Sequence, residues 1–185
     1  MKKIILIVGL PRSGKSLAAD IIKRRFKADV FRSGDIIREE IKRRGMKYTP
    51  QSDTLVAHWF NTHGREKILT KRVWDKVKKS KKDLIVIEGF RSPKNLQYLK
   101  LFYKRKPVVI YVNSSFKARA KRESEKKRFG KSETLEYLMF RDIMEKSHGI
   151  MKLVKKADFT INNSNFTKKQ LEDELVKIVK KITKA

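Results

Sequence analysis

The chain has 185 residues, enough for one domain with a sizeable core, and contains no cysteine, which excludes disulfides, thiolate metal ligands and cysteine nucleophiles. Its 48 lysines and arginines against 20 aspartates and glutamates give a formal net charge of +28, which attracts polyanions such as nucleotides or RNA. No stretch approaches the ~20 apolar residues that cross a bilayer, so we expect a cytoplasmic protein with no membrane segment.

The first predicted element is an aliphatic strand, residues 3–8, that runs directly into a glycine-rich turn. Residues 9–16 read GLPRSGKS, a complete G-x-x-x-x-G-K-[ST] phosphate loop, and a helix is predicted over Ser16–Arg25. In this setting the first amides of the helix point at an anion. Gly9 and Gly14 allow backbone conformations that a Cβ would prevent and let the chain approach phosphate oxygens. The pattern predicts a nucleoside-triphosphate site.

The residue types of this loop assign a role to most of its members. We expect Lys15 to place its ammonium on the β- and γ-phosphates, and Ser16 to give its hydroxyl to Mg²⁺. The residues expected to bind the nucleotide are Gly9, Pro11, Arg12, Ser13, Gly14, Lys15 and Ser16. The structural alternative is a glycine turn before a basic helix, without a nucleotide.

Four further short apolar runs predict buried strands, and they alternate with amphipathic helical stretches. The strands are predicted at Ala28–Arg32, Asp83–Glu88, Pro107–Val112 and Asp158–Asn162. The later helices are predicted at Asp35–Arg44, Arg65–Ser80, Ser92–Lys104, Ser115–Lys127, Glu133–Lys146 and Lys168–Ile182. This alternation predicts right-handed crossovers and a parallel sheet covered on both faces, a three-layer α/β/α fold. Ligands bind at the carboxyl ends of the strands in such folds.

Two regions depart from the alternation of strands and helices. Residues 45–64 form a long connection between the second and third strands, and residues 117–149 form a highly charged helical stretch between the fourth and fifth. Phosphoryl transfer requires that water be kept from the γ-phosphate, so we interpret these regions as mobile covers, an acceptor-side helical insertion and a lid. Residues 1–185 are thus predicted to form a single domain with two insertions.

Polar residues follow the second and third strands, at the sheet edge where a ligand is expected. Proteins accelerate phosphoryl transfer mainly by positioning and by cations around the transferred oxygens. Glu88 can hold a Mg²⁺-bound water, and the guanidinium forks of Arg38 and Arg91 can clamp an acceptor phosphate or carboxylate. Asp35 is the candidate to orient the attacking oxygen or accept its proton. Capping the next helix is the alternative role for Asp35.

Two arginines after the fourth strand are candidates for a lid. Arg119 and Arg122 are three residues apart and share a helical face, as they would on a lid arm that reaches over triphosphate. The alternative is a solvated helix in which Glu123 and Glu125 are the partners of these arginines.

Several segments resemble the adenylate-kinase group of phosphate-loop kinases. Residues 33–38 read SGDIIR and residues 88–91 read EGFR, similar to the T-G-D-x-x-R and D-G-F-P-R segments that line the acceptor site in that group. An archaeal family of predicted nucleotide kinases, related to adenylate kinase and dephospho-CoA kinase, resembles nearly the whole chain. That wider agreement includes Tyr48-Thr49-Pro50, the segment from Ile87 to Ser92, Arg141-Asp142, His148-Gly149-Ile150 and Ala157-Asp158.

The resemblance implies a P-loop NTPase fold with a five-stranded parallel sheet in the order 2-3-1-4-5, and ATP and Mg²⁺ as cofactors. Two departures concern the acceptor. The proline of D-G-F-P-R is absent, so Arg91 lies one position closer to the strand, and Glu88 replaces the usual aspartate. Dephospho-CoA kinases share the phosphate loop and an aspartate after the second strand, so Asp35 does not separate the two activities.

We therefore expect an ATP- and Mg²⁺-dependent phosphotransferase that acts on a small, anionic, phosphorylated and nucleotide-like acceptor. The alternative is a protein that uses ATP binding or slow hydrolysis to regulate an interaction with RNA or another partner. The missing proline and the net charge of +28 slightly favour this alternative. The charge itself has two explanations, nonspecific nucleic-acid binding or a composition set by genome or habitat.

Overall fold

A five-stranded parallel sheet forms the centre of the computed structural model, which describes residues 2–125, 127–128, 131–132 and 134–184. In chain order the strands are β1 (Lys3–Val8), β2 (Asp29–Arg32), β3 (Leu84–Glu88), β4 (Val108–Asn113), β5 (Lys127–Arg128), β6 (Lys131–Ser132) and β7 (Phe159–Asn162). The central sheet has the order β2-β3-β1-β4-β7, and all its neighbours are parallel. Counted over these five strands the order is 2-3-1-4-5, so the expected topology is confirmed.

Helices pack on both faces of this sheet. They are α1 (Lys15–Phe26), α2 (Ser33–Arg43), α3 (Pro50–Phe60), α4 (Glu66–Lys79), α5 (Pro93–Tyr103), α6 (Phe116–Ser124), α7 (Leu135–Ser147), α8 (Ile150–Val154) and α9 (Lys168–Lys184). The predicted helices agree with the observed ones to within three residues at each end, except that α3 and α8 have no separate predicted counterpart. Within the described residues, no helix is long and apolar enough to span a membrane.

The two regions that depart from the alternation of strands and helices contain additional elements, the helix α3 in one and the strand pair β5–β6 in the other. Helix α3 begins with a capping box in which the side chain of Thr49 accepts from the amide of Ser52 and the side chain of Ser52 accepts from the amide of Thr49. Between α6 and α7 the charged stretch is not wholly helical, because the antiparallel pair β5–β6 separates the two helices. The predicted start of the second of these helices, Glu133, lies outside the described residues.

Strand β1 supplies both hydrophobic cores. Its side chains alternate, so that Ile4, Leu6 and Val8 pack with the helices of one face, while Ile5 and Ile7 pack on the other face against α1 and α9. All five side chains are buried, and burial of one such side chain stabilises a fold by about 1.5–3 kcal/mol. The continuous aliphatic sequence of β1 is therefore the consequence of a strand covered on both faces.

The register of the sheet brings three chain segments together at one edge. Ile7 pairs with Glu88 of β3, and Val8 pairs with Tyr111 of β4. The turn after β1 therefore emerges between the residues that follow β3 and those that follow β4. This edge is the carboxyl end of the sheet, where parallel α/β folds bind ligands.

Candidate active site

The turn after β1 has the backbone of an anion-binding loop. Gly14 takes the left-handed conformation, with φ of 102°, and the neighbouring side-chain amide of Asn163 donates to the carbonyl of Ser13 at 2.8 Å. A Cβ on Gly14 would collide with that amide. Helix α1 then begins with no side-chain cap and no acidic residue in its first turn, which leaves its first amides available to phosphate.

Lys15 lies half-buried in the site, where its Nζ donates to the carbonyl of Leu10 at 3.2 Å. Burial is the largest cause that lowers the pKa of its ammonium; the carboxylates of Glu145 and Glu88 act in the opposite direction, while Arg141 and Arg91 lower it further. Triphosphate oxygens beside the ammonium would favour its charged form. The electrostatics of Lys15 therefore fit an anionic ligand.

Ser16 and Glu88 lie together, as a magnesium site requires. The hydroxyl of Ser16 donates to Oε1 of Glu88 at 2.7 Å, and Nε of Arg32 donates to the other carboxylate oxygen at 3.1 Å. Glu88 is buried, and Arg32 also pairs with Asp20. A hydroxyl and an oriented carboxylate are the hard oxygen donors that Mg²⁺ takes together with substrate phosphates. The donor set therefore fits Mg²⁺, which Ser16 and Glu88 would hold.

A cleft of about 800 Å³ opens over these residues. It is lined by the phosphate loop, the start of α2, residues 88–91, side chains of α6 and α7, and the start of α9. Among the described lining residues the cationic ones are Arg12, Lys15, Arg32, Arg38, Arg91, Arg122, Arg141 and Lys168, whereas the carboxylates are Glu88, Glu125 and Glu145. This excess of positive charge favours a ligand with several negative charges.

Arg38 and Arg91 line the same cleft as the phosphate loop, and each is paired with a carboxylate. Nε of Arg91 lies 3.0 Å from Oε1 of the buried Glu145, and Arg38 is paired with Asp35 on α2. Asp35 is partly exposed and is not among the lining residues of the cleft. It lies in the first turn of α2 and not at the N-cap, which is Arg32. Asp35 thus positions Arg38 in this structure.

Arg119 occupies a different place from the lid arm that the sequence suggested. Its guanidinium is buried and donates to both carboxylate oxygens of Asp142, at 2.7 and 2.6 Å. It also donates to the carbonyl of Pro11 at 3.2 Å and does not line the cleft. A guanidinium buried with its carboxylate partner cannot reach over a triphosphate without breaking the pair. In this structure Arg119 supports the phosphate loop from α6.

Arg122 lines the cleft and also holds the loop. It donates to the carbonyl of Arg12 at 3.2 Å, to Oγ of Ser114 at 3.0 Å and to the carbonyl of Asn163. Arg12 is in turn paired with Glu123 of α6. The carboxylate of Glu123, considered above as a partner for the α6 arginines, therefore binds the loop instead.

The remaining loop residues divide between the wall of the cleft and its support. Gly9, Arg12, Gly14, Lys15 and Ser16 line the cleft. Pro11 and Ser13 do not line the cleft, because both are buried. Their carbonyls accept hydrogen bonds from Arg119 and Asn163, so these two residues contribute to the shape of the loop.

Glu145 and Asn163 are among the cleft residues to which the sequence analysis assigned no functional role. Asn163 directly follows β7, so the rule that ligands lie after the strands could have found it. Glu145 lies in α7, within a run of charged residues, and no spacing in the sequence distinguishes it from a solvated glutamate. Its place beside Arg91 depends on the packing of α7.

Comparison with known sequences shows the family to which this chain belongs. A family model described as an AAA domain matches residues 8–138. A UPF0200 protein of the archaeon Pyrococcus horikoshii is 34% identical over 184 residues, an alignment that covers 97% of each chain. The chain belongs to the UPF0200 family. A member from Hyperthermus butylicus is 29% identical over 181 residues, with 97% of this chain and 95% of that protein covered. The expected archaeal relatives are thereby confirmed.

Solved structures show the same fold at low sequence identity. Shikimate kinase from Bacteroides thetaiotaomicron matches with a TM-score of 0.64 and 13% identity, covering 98% of both chains. Shikimate kinase from Acinetobacter baumannii, in complex with shikimate, matches with a TM-score of 0.51 and 15% identity, covering 100% of this chain and 94% of that one. This UPF0200 chain therefore has a kinase-like P-loop fold.

Proposed function

We propose that this protein is an ATP- and Mg²⁺-dependent kinase that transfers the γ-phosphoryl group to a small anionic acceptor. The observation that carries the proposal is one cleft that is lined both by the phosphate loop and by Arg38 and Arg91. We name the loop the donor wall, and the two arginines with Glu145 the acceptor wall. A phosphoryl donor bound to the loop and an anionic acceptor bound to the arginines would share this cleft, which gives the proximity that phosphoryl transfer requires.

On the donor wall, the amides at the start of α1 and the ammonium of Lys15 bind the phosphates and stabilise the charge that develops on the transferred oxygens. Ser16 and Glu88 would hold Mg²⁺, which supplies further neutralisation of the β- and γ-phosphates. Arg12 and Arg122 close the side of the cleft near α6. The proposed base is adenine, as the resemblance to adenylate kinases implies. ATP-dependent chemistry of this kind is expected in the cytoplasm.

On the acceptor wall, Arg38 and Arg91 have the planar forks that bind phosphate or carboxylate with two hydrogen bonds. The nucleotide-like motifs favour a phosphorylated acceptor, of the kind used by nucleoside monophosphate kinases or dephospho-CoA kinase. The neighbour that binds shikimate makes a carboxylate acceptor the second candidate. An attacking hydroxyl group has to lose its proton to a base. An attacking phosphate oxygen, as of a nucleoside monophosphate, arrives deprotonated, so that reaction makes little demand on a base. Asp35 would then contribute to the reaction by holding the guanidinium of Arg38 in position.

The test is transfer of labelled phosphate from γ-labelled ATP to a set of acceptors: nucleoside monophosphates including AMP, dephospho-CoA, and shikimate. We expect Mg²⁺-dependent labelling of one of them, and its loss in Lys15→Ala, which controls for contaminating kinases. Slow ATP hydrolysis with no labelled acceptor would contradict the kinase and support the regulatory alternative. In that case ATP-dependent binding to RNA is the next measurement.

A further inference from the structure

A buried histidine that lines a small cavity together with Arg91 has one ring nitrogen without a hydrogen-bond partner among the described residues. His148 follows α7 and is only 7% exposed. Its Nε2 lies 3.1 Å from Nδ1 of His58, which is exposed on α3. Its Nδ1 is buried and has no hydrogen-bond partner among the described residues. Unpaired buried polar atoms are rare because each has lost its hydrogen bonds to water without a replacement.

His148 lines a second, smaller cavity. This cavity has room for about 20 Å³, the space of a single water or hydroxyl group. The lining residues are Asp53, Thr54, Ala57, Arg91, Arg141, Met144, Glu145 and His148. Arg91, Arg141 and Glu145 also line the main cleft, so the small cavity continues the acceptor wall beyond Arg91.

The histidine pair can present either a donor or an acceptor to this cavity. Burial, the cation of Arg91 and the ring of His58 lower the pKa of His148 to about 4, so its ring is neutral near pH 7 and carries one proton. If Nδ1 of His58 donates to Nε2 of His148, the proton of His148 is on Nδ1, which can then donate to a group bound in the cavity. If Nε2 of His148 donates instead, Nδ1 is an acceptor. A hydroxyl group can satisfy both arrangements.

We propose that His148, positioned by His58, forms a subsite that binds a hydroxyl group of the acceptor. The inference rests on the proposed kinase function and narrows its substrate class to hydroxylated phosphates or carboxylates. The anionic group binds to Arg91, and a hydroxyl of the same molecule enters the small cavity and pairs with Nδ1 of His148. His148 is thus a residue that determines acceptor specificity without touching ATP.

Steady-state kinetics of His148 variants, with the acceptor that the labelling experiment identifies, test the subsite. His148→Phe keeps a planar ring but removes both nitrogens, and we expect it to raise the acceptor KM about tenfold with little change in kcat or in the KM for ATP. His148→Gln, which can both donate and accept, should recover a large part of the loss. The matched control is His63→Asn on the surface, which should leave all three constants unchanged. An unchanged acceptor KM in a folded His148→Phe protein overturns the subsite and indicates a cavity that holds water only.

A second readout separates failure of the subsite from failure of the kinase. In protein labelled with ¹⁵N-histidine and saturated with a non-hydrolysable ATP analogue, binding of AMP, dephospho-CoA or shikimate should shift the Nδ1 resonance of His148 and leave that of His63 unmoved. A compound that binds to the cleft, or is phosphorylated, without this shift overturns the subsite alone. If none of the three compounds binds or is phosphorylated, the proposed function fails and the subsite fails with it.

Discussion

The donor and acceptor walls of the cleft are built in different ways. The proposed donor wall is one run of eight residues, 9–16, whose backbone amides and lysine would face the ligand. The proposed acceptor wall takes Arg38 from α2, Arg91 from the segment after β3 and Glu145 from α7, and its arginines are already paired with carboxylates. In the proposed reaction these arginines would have to exchange their carboxylate partners for the anionic group of the acceptor.

The donor wall nevertheless depends on remote side chains. The carbonyls of Pro11, Arg12 and Ser13 accept hydrogen bonds from Arg119, Arg122 and Asn163, which lie more than a hundred residues away in the chain. A local motif supplies the groups that face phosphate, and tertiary contacts hold the back of the loop. We therefore expect substitutions of loop residues that line the cleft to lower the rate of turnover. Substitutions of the remote residues that support the loop carbonyls are expected to lower the stability of the protein.

The largest effect is expected for Lys15→Ala. The change removes a cation aimed at the transferred phosphate, and such cations contribute roughly 10³ to 10⁵ in rate. Mg-ATP turnover should fall by that factor while circular dichroism shows an intact fold. Lys23→Ala, at the exposed end of the same helix, is the control and should retain turnover. A Lys15→Ala protein with near wild-type activity would exclude this loop as the donor site.

Asp142 pairs with Arg119, which supports the phosphate loop, and Asp142→Ala should destabilise the whole protein. It leaves the buried guanidinium of Arg119 without its carboxylate, and removal of one partner of a buried pair costs about 3–5 kcal/mol. Urea unfolding measures the effect. Asp173→Ala removes an exposed α9 carboxylate and should change the free energy of unfolding by no more than about 0.5 kcal/mol. Equal stabilities for these two variants would contradict a supporting role for the Arg119–Asp142 pair.

Arg91→Ala should impair the use of the acceptor and leave the binding of ATP nearly unchanged. Loss of a charge-assisted contact of roughly 1.5–3 kcal/mol lowers kcat/KM for the acceptor about ten- to a hundredfold and leaves ATP affinity nearly unchanged. Exposed Arg105→Ala is the control. Equal transfer by Arg91→Ala and wild type would remove Arg91 from the acceptor site. A regulatory ATPase would instead show wild-type hydrolysis in Arg91→Ala and no acceptor.

The smallest expected effect is nonspecific binding of nucleic acid to the positively charged surface outside the cleft. The net charge of +28 predicts weak binding of RNA or DNA that collapses between 50 and 200 mM salt, because release of counterions from phosphates drives such binding. Fluorescence titrations at two salt concentrations, with two unrelated sequences, measure it. Tight binding that depends on sequence and survives near-physiological salt would show a dedicated nucleic-acid site and favour the regulatory alternative.

The sequence by itself determined the phosphate loop and the positions of the strands, whereas the order of the strands was implied by the resemblance to P-loop kinases. A phosphate loop is a contiguous motif, since its glycine turn, lysine and serine need only one strand before it and one helix after it. The aliphatic runs likewise mark strands that are covered on both faces, and alternation with helices restricts how they can be connected. These features are local, so they can be read without knowledge of the packing.

Only the tertiary structure decided the roles of the charged residues after β4. Arg119 and Arg122 share a helical face and look alike in sequence, yet one is buried against Asp142 and the other lines the cleft. Glu145 and His148 become parts of the acceptor wall because α7 packs beside Arg91 and α3. Among 68 charged residues, a pattern in the chain does not distinguish a solvated side chain from a buried partner. Burial decides that difference, because the free energy of a charge depends on the water and countercharges around it.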